Sequence, residues 1–108
     1  MTNRRTGLVA RFRSWWSGPG WDAPVSRERT REAASRLLAG QMTEREFIDW
    51  VHIHVGHGGY DDLEDLVELD DEYDPVDFPE ADQWFRESPE AEAERERVRE
   101  HARRLIAE

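Results

Sequence analysis

Residues 61–82 read DDLEDLVELDDEYDPVDFPEAD, and they constrain the fold more than any other stretch. Twelve of these twenty-two residues are carboxylates and none is basic. Of the formal net charge of −10, this run alone carries −12, against +4 on residues 1–20. A run so charged would stay unfolded if it had nothing to bury. It does have something: Leu63, Leu66, Val67 and Tyr73 recur at three and four, with Leu69 to the side. That spacing predicts a helix with one apolar face, on which Asp70 also falls. Acidic runs are commonly solvated surface. A helix built for solubility alone would mix signs, however, because opposite charges three or four apart support it and like charges do not. Concentrated charge of one sign steers a partner of the other. The run therefore reads as a folded acidic surface for a basic protein.

The rest of the chain supplies helices to pack against it. Ser26 is a suitable N-cap for a helix over 26–40, with Ala33, Ala34, Leu37 and Leu38 as its apolar stripe and Gly40 as its stop. Thr43-Glu44-Arg45-Glu46 is a capping box, which opens a second helix. Its buried face is Phe47, Trp50, Val51, His54 and Val55, and Gly56, Gly58 and Gly59 end it. The third helix starts near Asp61 or Asp62 and stops at Asp74-Pro75. Residues 77–87 read as a loop and a short helix, with Phe78, Trp84 and Phe85 as anchors to the core. Ser88-Pro89 opens a last helix to about Ala107, with Ala91, Val98, Ala102, Leu105 and Ile106 inward. Its exposed face pairs Glu92/Arg95, Glu94/Arg97, Glu96/Arg99 and Glu100/Arg103. The expected fold is all-α: a small antiparallel four-helix bundle over residues 26–108, with a flexible basic N-terminal arm over residues 1–25.

Composition excludes several function classes. There is no cysteine among the 108 residues, hence no disulfide framework and no thiolate chemistry, which fits a cytoplasmic protein. No apolar run approaches the ~20 residues of a membrane span. The acidity argues against direct binding of nucleic acid, which requires a basic face. Residues 1–22 are different in kind: Arg4, Arg5, Arg11 and Arg13 interleave with Leu8, Val9, Phe12, Trp15 and Trp16. Such a segment could anchor a peripheral-membrane or scaffold protein. An arm that packs its tryptophans on the bundle or stays flexible is the plainer expectation.

Two constellations could carry chemistry. His52, His54 and His57 cluster in sequence, but His52 and His54 point to different faces of a helix, the helix ends before His57, and no zinc spacing is matched. The expectation is no metal and no cofactor. Asp70, Glu72 and Asp74 alternate like a calcium loop, yet Pro75 replaces the required glycine and Ala81 the closing glutamate. The carboxylates have no nucleophile or phosphate-binding loop beside them, so the chain is not expected to be an enzyme.

Leu37-Leu38-Ala39-Gly40-Gln41-Met42-Thr43-Glu44-Arg45-Glu46-Phe47 resembles the colicin D immunity protein family. Members end a helix, turn through a glycine or serine, a basic residue, an aliphatic residue and a threonine or serine, and open the next helix with Glu-Phe. Here Gln41 stands at the basic place and Met42 at the aliphatic one. Leu66-Val67-Glu68, Asp71-Glu72-Tyr73 and the pattern from Val98 to Leu105 are similar to the family's acidic third helix and closing helix. The resemblance covers about residues 30–106 and leaves residues 1–25 outside. It implies a helical bundle that blocks a nuclease toxin, tRNA-cleaving in the type case, by presenting acidic residues to its basic cleft. With the charge pattern, this nominates Glu68, Asp70, Asp71, Glu72, Asp74 and Asp77 as partner-binding carboxylates. Tyr73 is the aromatic anchor unless it belongs to the core.

Overall fold

A computed structural model describes residues 24–108; the basic, tryptophan-bearing segment at residues 1–22 lies outside the described residues. Residues 24–108 form helices joined by short connections, with no strand among them. The helices are α1 (Arg27–Leu38), α2 (Glu44–His54), α3 (Glu64–Glu72), α4 (Pro79–Glu87) and α5 (Glu92–Ile106). Single 3-10 turns, Asp61–Leu63 and Pro89–Ala91, lead into α3 and α5. Four of the five lie where the bundle helices were expected, and α4 is the short helix expected within residues 77–87, as long as α3 at nine residues. Pro79 occupies its first turn, where a fixed φ and a missing N–H cost nothing, and fully buried Phe85 holds it to the core.

The helix ends follow local chemistry. Ser26 Oγ accepts from the Arg29 N–H at 3.2 Å. Thr43 Oγ1 accepts from the Glu46 N–H at 3.0 Å, while Glu46 Oε1 accepts from the Thr43 N–H at 2.9 Å, closing the capping box. Gly40 takes φ +80° after α1, and the N–H groups of Gly40 and Gln41 satisfy the Leu37 and Arg36 carbonyls.

One core runs through all five helices. Ala33, Ala34 and Leu37 of α1 meet Phe47, Ile48 and Val51 of α2. Leu66, Val67 and Leu69 of α3, Phe85 of α4, and Val98, Ala102 and Leu105 of α5 complete it. α1 lies against α5, and α2 against α3. Four apolar residues expected inside are at the surface: Leu38, Phe78, Trp84 and Ile106 are 38%, 52%, 38% and 43% exposed. Phe78 sits at the start of α4, before the turn that carries Phe85 inward. Trp84 lies across Tyr73, with ring centroids 6.0 Å apart. On α5, all four Glu/Arg pairs read from the sequence form.

Candidate interaction surface

The acidic run contains no cation, but the rest of the chain supplies many. Arg27 grips Asp62 through two bonds of 3.0 Å each. Arg97 donates to Asp65 at 2.5 Å, and His101 lies 3.1 Å from the same carboxylate. His57 bridges Glu64 at 2.6 Å and Asp71 at 2.9 Å. Four of the run's twelve carboxylates are thus paired from other helices and turns. The absence of basic residues inside the run is for these positions a matter of topology.

Asp70 and Asp82 go further and enter the interior, at 4% and 6% exposure. Arg45, also buried, lies between them. Its Nη1 donates to Asp70 Oδ1 at 2.5 Å and its Nε to Asp82 Oδ1 at 2.8 Å. His52 Nδ1 lies 2.6 Å from Asp70 Oδ2, and Arg86 Nε donates to Asp82 Oδ2 at 2.9 Å. This group ties α2 to α3 and α4. Burial alone would raise the Asp70 pKa; the His52 hydrogen bond and the charge of Arg45 outweigh it and hold the carboxyl below its usual value. Burial is the largest influence on Arg45 too and would lower it, but Asp70 and Asp82 keep it raised.

The nominated residues therefore divide. Asp70 is committed to this buried group and is not a surface carboxylate. Asp74 is also buried, its Oδ1 accepting from the Val76 N–H at 2.7 Å in the turn that leaves α3. Tyr73 is core: it stacks on Phe85 with centroids 4.9 Å apart, and burial, followed by the charges of Glu72 and Glu94, pushes its hydroxyl up to about 12. Asp71 is half-buried against His57. Glu68, Glu72 and Asp77 are exposed.

Around those three the sequence reading missed an apolar component. Val76 is 66% exposed and Phe78 52%, on the connection between α3 and α4. Glu72 precedes them at the end of α3, Asp77 lies between them, and Glu80 follows on α4. Apolar side chains inside a polar rim are the usual anatomy of a protein interface. The signal was present as Pro75-Val76-Asp77-Phe78-Pro79, where two prolines restrict a short connection and limit how far both side chains can fold back.

Of the histidines, His57 lies in the turn as expected and His54 leaves the buried face assigned to it. His54 is exposed and leans on Trp50 at 4.7 Å between centroids, while His52 and His57 meet edge to face at 5.2 Å. No helix among the described residues is long and apolar enough to cross a membrane. The chain matches no protein-family model, no curated protein and no solved structure.

Proposed function

We propose that this chain is a non-enzymatic binding protein that docks on a basic protein through the end of α3 and the connection to α4. The contact set is Glu68, Glu72, Val76, Asp77, Phe78 and Glu80. The observation that carries this reading is the last turn of α3. Every other described α-helix has a basic residue in its last turn, as the helix dipole favours; α3 has none and places Asp71 and Glu72 there. Carboxylates at that end cost about 0.3–1 kcal/mol each at exposed positions. Glu68 and Glu72, one turn apart, add a like-charge pair. A cost kept at the surface, beside two exposed apolar side chains, fits a surface shaped for a partner.

The partner class this favours is the basic cleft of a nuclease toxin domain, which makes the chain an immunity-type inhibitor. Carboxylates compete there for the cations that hold RNA phosphates. Long-range attraction speeds association, and burial of Val76 and Phe78 with charge-assisted bonds slows release. A pull-down from the native cell at low salt, eluted on a salt gradient and identified by mass spectrometry, tests it. The expected result is one basic, nuclease-like protein leaving at high salt. Recovery of only acidic or lipid-associated material would overturn it.

A further inference from the structure

We propose that His52, His57 and Asp71 form a binding site for one divalent transition-metal ion of the zinc class. Three elements converge there: the last turn of α2, the glycine turn that follows it, and the last turn of α3. A ring nitrogen of each histidine and one Asp71 oxygen all lie within 4.8 Å of one another. Asp71 Oδ2 is 2.9 Å from His57 Nε2, and its Oδ1 is 3.6 Å from His52 Nδ1. Ligand atoms arranged tetrahedrally about zinc sit roughly 3.3 Å apart, so the three need close by at most about 1.5 Å.

Two further features point to an ion. The first is how the rings are held. Asp70 Oδ2 lies 2.6 Å from His52 Nδ1, and Glu64 Oε2 lies 2.6 Å from His57 Nδ1. At His57 the Nε2 faces Asp71 and the carboxylate stands on Nδ1, the arrangement that orients a ligating histidine and strengthens it as a donor, whereas Asp70 meets the same His52 nitrogen that faces Asp71 and adds a second carboxylate beside it. Both carboxylates are themselves anchored, Asp70 by Arg45 and Glu64 by the Gly58 N–H at 2.9 Å. The second is the turn. Gly56 and Gly58 bracket His57 and both take φ +77°, a left-handed conformation suited to glycine. The tight curl this gives the backbone carries the His57 ring back to Asp71 on α3. Two imidazole nitrogens with one carboxylate select zinc, nickel, copper or iron over calcium and magnesium, which prefer all-oxygen sites. Solvent can complete the shell at the exposed His57 side. A bound ion would pin the glycine turn to the end of α3.

Calorimetric titration of Zn2+ alone into the metal-free, tag-free full chain at neutral pH tests this, with the visible absorption of bound Co2+ as a second readout. One ion per chain is expected. His57→Ala and Asp71→Asn, both at partly exposed positions, should each weaken binding at least about a hundredfold, and Glu64→Gln roughly tenfold. His54→Ala should bind as the parent does. Absence of saturable binding, or affinity unchanged in both His57→Ala and Asp71→Asn, would overturn the assignment.

Discussion

Replacing Arg45 with methionine separates the structural carboxylates from the functional ones. Methionine keeps the apolar stem but removes the guanidinium that bonds Asp70 at 2.5 Å and Asp82 at 2.8 Å. Two buried carboxylates then lose their shared cation. Breaking a buried ion pair from one side costs about 3–5 kcal/mol, because the remaining charge is left desolvated. Asp70 retains His52 and Asp82 retains Arg86, which argues for the lower end, about 3 kcal/mol. That is a large share of the ~5–15 kcal/mol that holds a domain together. At about 4–8 °C per kcal/mol for a small domain, the thermal midpoint falls by about 12–24 °C. Thermal and urea unfolding followed by circular dichroism read this directly. Arg45→Met/Asp70→Leu/Asp82→Leu should recover most of the loss, since apolar groups can replace a whole buried ionic group. A loss under about 1 kcal/mol for Arg45→Met, the range of solvated surface pairs, would refute the reasoning.

Two further outcomes follow from the same structure. Asp62 is held low by its hydrogen bond from Arg27, Glu64 by the Gly58 N–H and then His57, and Asp65 and Asp70 by their basic partners against the opposing effect of burial. A depressed folded pKa contributes stability above the unfolded value, here 3.8 or 4.5, and loses it as pH falls through the folded value. The unfolding midpoint should therefore drop steeply below about pH 4; a midpoint that rises there would contradict these pairings. Gly59→Ala should destabilise more than Gly58→Ala, because a Cβ at Gly59 meets the Val55 carbonyl oxygen at 2.4 Å while one at Gly58 meets nothing within 4 Å and bears only the strain of positive φ. Equal losses in urea unfolding would contradict this ordering.

The parts of the fold that depend on neighbours in sequence were legible in it. Ser26, Thr43 with Glu46, and Gly40 act over three or four residues, as do the four Glu/Arg pairs of α5. What depends on tertiary contact was not. Asp70 carried two conflicting signals: its spacing from Leu66 and Val67 placed it inward and its charge placed it outward. Spacing prevailed because Arg45, 25 residues away in sequence, supplies the cation that makes burial tolerable. In the sequence Arg45 is an inner member of a capping box; that it shares a helix face with Ile48 and His52 was the available clue. Phe78 and Trp84 erred in the opposite direction. Hydrophobicity placed them inside, but α4 presents one aromatic, Phe85, to a core already filled by Tyr73 and the α3 leucines. The acidic run was read correctly as a helix, and its charge overread: intermolecular and intramolecular counter-ions look the same in a sequence. The pairing of His52 with His57 depends on the glycine turn between α2 and α3, which periodicity does not describe.

The central claim is that the exposed carboxylates of α3 and the α3–α4 connection serve a partner while Asp70 and Asp82 serve the fold. The most direct measurement is the affinity of the captured partner for the full chain and for Glu68→Arg/Glu72→Arg/Glu80→Arg, across a range of salt concentrations. The account predicts a variant that stays folded, loses binding at moderate salt and shows a shallower salt dependence. Affinity equal to that of the parent chain, in a variant that remains folded, would contradict it.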